Sequence, residues 1–188
     1  MNKIIKSLVS TALISLSSLS LNAAEGIAPE KVVDMIHDAL EANRIVYAEQ
    51  IVNRLMNEEE VIDASEHWKE EQTLLLPAQF FRAGADIVLE KSNSGVSYSL
   101  LSLWPVNDQN KAKTDVEKAG LKFISDNPGK NFYGKETLGG KAYFTAIYPD
   151  KASSEACVSC HNNHKDSPKK DFKINEVMGG MIIRIPMN

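Results

Sequence analysis

The chain has 188 residues, of which 43% are hydrophobic, 24% charged and 7% aromatic, and its formal net charge is −4. This globular composition excludes wholesale disorder, collagen-like repeats and coiled-coil rods. The mild acidity disfavours binding to duplex nucleic acid, which usually requires a basic face. Two cysteines cannot build a disulfide scaffold, so we expect their role to be chemical.

Residues 1–23 have the pattern of a secretory signal peptide, with two lysines before the serine-diluted apolar run Leu8–Leu21. Small residues around Ala23 predict cleavage after it, which removes those two lysines and no acid and changes the charge from −4 to −6. Residues 24–188 are then expected to form one domain. An uncleaved membrane anchor is the alternative, and the short apolar run disfavours it. The sequence therefore predicts a periplasmic protein with no membrane span in the mature chain.

The first half of the mature chain is predicted to be mainly helical. Apolar residues recur at roughly 3.6-residue spacing after Pro29, which indicates a long amphipathic helix over about residues 29–57, with Asn43 as a candidate break. A second helix is predicted to begin at Pro77. A turn then precedes the apolar run Val96–Trp104, which we interpret as a strand with both faces largely covered.

The second half carries a helix and a hairpin. Thr114 and Glu117 match a capping box, which predicts a short helix ending at about Ser125. Two apolar and aromatic runs, 131–138 and 141–148, are joined by two glycines, and this is a strong hairpin signal.

The last apolar run, Val177–Ile185, predicts a closing strand. The element order is therefore helix, helix, strand, helix, hairpin, a cysteine-bearing insert and a final strand. Four short strands joined by hairpins and crossovers favour an antiparallel α+β domain over a parallel sheet.

The segment Cys157-Val158-Ser159-Cys160-His161 is typical of covalent attachment of a c-type haem. Each cysteine sulfur can form a thioether with one porphyrin vinyl group, and the adjacent His161 can then coordinate the iron as proximal ligand. A redox dithiol, half of a zinc site and an inert disulfide stay open as alternatives. The hydrophilic setting after a hairpin disfavours the dithiol, and the lack of a second C-x-x-C disfavours zinc.

The residue on the other side of the iron is left open by the sequence. His164 follows His161 too closely to reach the opposite face, so we expect it near a haem propionate or in solvent, and we expect His37 on the surface. His67 precedes a tryptophan that could flank a haem edge, which makes it a candidate distal ligand. Met178 is a second candidate, and an open, five-coordinate iron is a third possibility. Four methionines are otherwise expected as core filler: Met35, Met56, Met178 and Met181.

Several motifs taken in order resemble those of the Tll0287-like haem domain family, over about residues 30–187. They are Leu76-Pro77-Ala78, the run Tyr98 to Pro105, Gly139 to Phe144, Ala146 to Asp150, Cys157 to His161, His164, and Ser167 to Phe172. The resemblance implies a PAS-like antiparallel sheet with a long N-terminal helix and a c-type haem bound against it. It also implies that Cys157 and Cys160 attach the haem and that His161 ligates it. A distal thiolate, which serves in some members, has no counterpart in this chain.

These features predict an exported monohaem c-type cytochrome that acts in electron transfer or redox sensing. A separate redox or signalling partner protein is expected, and the acidic surface suits a basic one. The alternative is a haem-based sensor of NO, CO or O2 that reports to a separate signalling partner. A peroxidase would need an acid–base residue on an open distal face, for which His67 with Glu66 is the candidate, so the sequence leaves enzymatic activity open.

Overall fold

Seven helical segments and six strands make up the computed structural model, which describes residues 26–187. The predicted signal peptide lies outside these residues. The helices are α1 (Pro29–Ile45), a π-helical extension of it (Val46–Glu58), α2 (Trp68–Glu71), α3 (Pro77–Lys91), a 3₁₀ turn (Asp108–Asn110), α4 (Asp115–Asp126) and α5 (Glu155–Asn163). The strands are β1 (Ala64–Ser65), β2 (Leu74–Leu75), β3 (Ser97–Leu101), β4 (Phe132–Leu138), β5 (Lys141–Lys151) and β6 (Val177–Pro186).

The main sheet is antiparallel, with its strands in the order β3-β6-β5-β4. The predicted hairpin is confirmed as β4 and β5, and Gly139 and Gly140 at its turn both have positive φ, at 55° and 78°. Glycine adopts this backbone region without a steric penalty. The closing strand β6 lies between β3 and β5, so the last strand of the chain is central and β3 and β4 form the edges of the sheet. The predicted α+β class with a long N-terminal helix is confirmed.

The long N-terminal helix covers one face of this sheet. Val33 is fully buried, and Leu40 packs with it against side chains of β5 and β6. The helix changes from α to π hydrogen bonding at Val46, three residues after the predicted break at Asn43, and it ends at Glu58. The 3.6-residue periodicity therefore predicted both its existence and its extent.

The opposite face of the sheet is covered by α4. The predicted capping box is present: the Glu117 amide donates to Thr114 Oγ1 at 3.1 Å, and the Thr114 amide donates to Glu117 Oε2 at 2.9 Å. Leu121 is buried between the helix and the sheet. Gly120 permits this close approach, because a Cβ there would clash with Ile147 Cδ1.

The structure departs from the predictions at two places. The strand expected at Val96–Trp104 ends at Leu101, and its side chains are mostly half-buried rather than covered. It stops there because the Ser102 amide donates to the Asn110 carbonyl at 2.9 Å instead of continuing the pairing with β6. The cysteine-bearing insert contains a regular helix, α5, which periodicity did not reveal. Across residues 26–187, no helix has the length and apolar content needed to cross a bilayer.

Candidate functional site

The cysteine motif lies on α5, a nine-residue helix that follows the end of β5. Ser154 is its N-cap, and its hydroxyl accepts a hydrogen bond from the Cys157 amide at 3.4 Å. Residues three and four apart share a face of a helix. Cys157, Cys160, His161 and the C-cap residue His164 therefore lie along one side of this short element, so two thiols and an imidazole point in one general direction.

The two thiols are free and differ in their surroundings. Cys157 is half-buried; burial alone would raise its pKa, but hydrogen bonds with Ser154 and Ser153 outweigh burial and lower the pKa. The Cys157 sulfur lies 3.2 Å from Ser154 Oγ. Cys160 is exposed at its tip, and partial desolvation together with the neighbouring Cys157 and Glu66 raises its pKa. Cys157 is therefore the more enclosed of the two cysteines, and Cys160 the more exposed.

His161 carries a buried ring nitrogen with no hydrogen-bond partner among the described residues, namely Nδ1. Burial, and secondarily the nearby His164, lowers the pKa of the His161 imidazole. A lowered pKa favours the neutral ring, which is the form that binds metals. Buried polar atoms are normally paired, and Nδ1 of His161 is one of four exceptions among the side chains of residues 26–187.

The wall behind His161 is built by a distant segment. The ring of Phe172 stands edge-on to the His161 ring at a centroid distance of 6.0 Å. Asn162 fixes that segment through two hydrogen bonds: its Nδ2 donates to the Phe172 carbonyl at 3.0 Å, and its Oδ1 accepts from the Phe172 amide at 2.9 Å. Phe172 also packs with Ala152 and Met178 in a small buried cluster that includes Cys157. The motif helix is thus attached to the sheet.

Trp104 and Lys169 complete this wall. Trp104 meets Phe172 edge-on at 5.9 Å between ring centroids. The ammonium of Lys169 lies 4.4 Å from the centroid of the Phe172 ring and within reach of Asp171 and Glu176. The site also contains three residues outside the motif: Phe172, which contacts His161, Asn162, which holds Phe172, and Trp104, which packs on Phe172. Phe172 and Trp104 reach the site only through the fold, so no spacing rule signals them.

The two candidate distal residues differ in exposure and in their contacts. His67 is 67% exposed, and Glu66 links its segment to α5, with Glu66 carboxylate oxygens 3.5 Å from His67 Nε2 and 4.0 Å from His164 Nε2. Met178 is buried in the cluster that contains Cys157. The fold therefore brings both residues to the neighbourhood of α5, and their predicted ligation stays a prediction.

Two expectations about residues outside the motif are wrong. His37 is not a free surface residue: its side chain is half-buried and its ring stacks on Tyr148, with centroids 3.9 Å apart. It does so because the helix turns it toward the sheet beside Asp34, whose carboxylate accepts hydrogen bonds from Tyr133 and Tyr148. Met35 is not core filler, since 54% of it is exposed on the outer face of α1. Met181, by contrast, is buried as expected.

The fold and the site define a class: α+β proteins in which a C-x-x-C-H helix is fastened to one end of an antiparallel sheet. The chain belongs to the Tll0287-like family, which its sequence matches over residues 28–186. Its fold is similar to that of the cyanobacterial heme-protein Tll0287, whose crystal structure covers 86% of this chain and is itself covered to 98%. The TM-score is 0.54 and the sequence identity 14%, so this likeness concerns the fold. No curated protein matches the chain.

Proposed function

We propose that the protein is an exported monohaem c-type cytochrome that acts in electron transfer or redox sensing. The single observation that carries this proposal is His161, whose buried, unpaired Nδ1 and lowered pKa leave a neutral imidazole beside two free thiols. Family membership supports it, as does the description of the fold relative as a heme-protein. The signal pattern of residues 1–23 supports export to the periplasm.

Three residues of the motif would hold the haem. Cys157 and Cys160 would form thioether bonds to one haem, and His161 would provide the proximal iron ligand. When bound, the haem supplies a one-electron couple between ferric and ferrous iron. Phe172 and Asn162 fix the orientation of the His161 ring and keep water from its buried side. The antiparallel sheet with a long helix across one face supports a PAS-like fold.

The decisive experiment is production of the protein in a cell competent for cytochrome c maturation. We expect a mass equal to the processed polypeptide plus one haem, and retention of the haem after extraction with acidified acetone. Cys157→Ser and Cys160→Ser should each leave one thioether, which shifts the absorption band of the reduced pyridine adduct. Ser159→Ala, in the same helical turn, is the matched control and should match wild type. A colourless protein with the mass of bare polypeptide would overturn the proposal.

Carbon monoxide separates redox function from gas sensing. A redox protein needs an iron that keeps both axial ligands, so the Soret band of the dithionite-reduced protein should not change when CO is added. The acidic net charge also suits electrostatic encounter with a basic redox partner. Rapid formation of a CO adduct would instead favour a sensor of diatomic gases or a peroxidase with an open distal face.

A further inference from the structure

The ammonium of Lys169 lies within the aromatic wall behind His161. It is 4.4 Å from the centroid of the Phe172 ring and 5.7 Å from that of the Trp104 ring. Both distances are within the range of a cation–π interaction. Phe172 in turn stands edge-on to His161 at a centroid distance of 6.0 Å. The contacts therefore lead from a positive charge, through one aromatic ring, to the imidazole of the cysteine motif.

The segment that follows α5 holds Lys169 in this position. Ser167 is buried, and its hydroxyl donates to the Lys169 carbonyl at 2.7 Å. The Lys169 ammonium donates to Asp171 Oδ1 at 2.6 Å and lies 3.0 Å from Glu176 Oε1. Only 18% of the Lys169 side chain is exposed, whereas a lysine usually keeps its charged end in water. The cation is thus kept in one geometry against the Phe172 ring.

Lys169 keeps its charge in this setting. Burial alone would lower the pKa of the ammonium, but its hydrogen bonds to Asp171 and Glu176 and the charges of these acids outweigh burial and raise the pKa above its ordinary value of 10.5. Both carboxylates are more exposed than the ammonium, with 83% of the Asp171 side chain and 35% of the Glu176 side chain accessible. Water and salt screen exposed charges more strongly than partly buried ones, so Asp171 above all offsets the field of the ammonium only in part.

We propose that Lys169 raises the reduction potential of the iron that His161 would ligate. This inference rests on the proposed function, because it needs a haem on Cys157 and Cys160. Reduction removes one positive charge from the iron, and a neighbouring cation disfavours the more positive, ferric state. The buried Phe172 ring contacts both the ammonium and the imidazole, and a buried setting screens charges less than water does. Lys169 is therefore a positioning residue that acts on the iron through the wall of the site.

A spectroelectrochemical titration of the haem-loaded protein at constant pH and ionic strength tests this role. Lys169→Met keeps an unbranched apolar side chain without the ammonium and should lower the midpoint potential. Lys169→Arg keeps the charge and should stay closer to wild type. Lys165→Met, which removes an exposed lysine from the same segment, is the matched control and should shift the potential less than Lys169→Met. A wild-type potential in Lys169→Met would overturn the inference.

A substitution of opposite sign separates charge from packing. Glu176→Gln removes a counter-charge of the ammonium and should raise the midpoint potential. If Glu176→Gln and Lys169→Met shift the potential in the same direction, disturbed packing rather than charge is responsible, and the inference is wrong. Every variant should keep the mass of one bound haem and the wild-type absorption spectrum. An unshifted potential with haem in place therefore contradicts the role of Lys169 alone, whereas a protein without haem contradicts the proposed function itself.

Discussion

Asn162 shows how one side chain can position a functional group without touching a cofactor. Its amide holds the Phe172 backbone from both sides, and Phe172 stands against the ring of His161. The neighbouring Asn163 has a similar side chain, but it is exposed and donates only to Ser159 Oγ at 3.3 Å. The two adjacent asparagines therefore form a natural matched pair for mutation.

We predict that Asn162→Ala lowers the free energy of unfolding by about 1–3 kcal/mol, because it leaves the Phe172 amide and carbonyl without partners. Asn163→Ala should change it by less than about 0.5 kcal/mol, as exposed substitutions usually do. Urea unfolding followed by circular dichroism measures both. Equal effects of the two variants would show that the Asn162 bonds do not hold this wall.

Under the proposed function, a comparison of two variants tests which residue is the distal ligand of the iron. Met178→Leu keeps the apolar volume of a buried residue but removes the thioether sulfur, and His67→Ala removes an exposed imidazole. Loss of a sixth ligand should convert the low-spin spectrum to a high-spin one and admit CO. We expect only one of the two to do so. Wild-type spectra in both would exclude Met178 and His67 from the coordination sphere.

At the scale of the element, the N-terminus of α4 is stabilised by a capping box that the sequence predicts. The Thr114 hydroxyl accepts a hydrogen bond from the Glu117 amide, and Glu117 Oε2 accepts one from the Thr114 amide. We predict that Thr114→Ala lowers the free energy of unfolding by about 1 kcal/mol, since one amide of the first turn loses its acceptor. Lys118→Ala, an exposed position in the next turn, is the control and should have little effect. Thermal unfolding checks both, and equal melting temperatures of Thr114→Ala and wild type would contradict the prediction.

Elements with a long repeating pattern, a capping box or a turn signal could be predicted, and short elements without such a signal could not. The long helix is indicated by an apolar repeat along most of Pro29–Glu58, and the β4–β5 hairpin is indicated by its two glycines. The helix α5 has only nine residues and a weak apolar pattern, because a cysteine and a histidine occupy the side that packs on the buried cluster. The strands β1 and β2 have two residues each and exist only through pairing with one another.

The same distinction holds for the site. Cys157, Cys160 and His161 form a local motif whose chemistry depends on spacing, so the sequence identifies them. Phe172 contacts His161 of the motif through tertiary packing, and Trp104 packs on Phe172; no local spacing signals either contact. Met35 was misplaced because a helix with two apolar stripes has the same one-dimensional pattern as a helix with one wide stripe.

At the scale of the whole molecule, one buried charge network joins three elements. Arg184 of β6 donates from Nη2 to Glu117 Oε1 of α4 at 2.5 Å and from Nε to Glu136 Oε1 of β4 at 2.6 Å. Thr145 of β5 donates to the same Glu136 oxygen at 2.7 Å. All of these side chains are buried or nearly so. The guanidinium thus compensates two acids between the sheet and α4.

The pKa of Glu136 shows the balance within this network. Burial raises it, but the hydrogen bonds from Arg184 and Thr145 and the charge of Arg184 outweigh burial, and the pKa lies below its ordinary value of 4.5. A carboxyl with a lowered folded-state pKa stabilises the fold above its unfolded pKa. That stabilisation is lost as the pH falls from about 4.5 through the lower folded-state value.

We predict that Arg184→Met destabilises the protein by about 3–5 kcal/mol at neutral pH, because it leaves buried acids without their cation. It should also reverse the pH dependence. Without the guanidinium, burial remains and should raise the pKa of Glu136 above its ordinary value. The destabilisation caused by its buried charge should therefore shrink as the pH falls and the carboxylate is protonated. The unfolding free energy of wild type should therefore drop in acid while that of the variant rises or stays level. Lys122→Met, which removes an exposed cation from α4, is the control, and its unfolding free energy should follow that of wild type across the pH range. If Arg184→Met and wild type had parallel pH profiles, Arg184 would not set the charge state of Glu136.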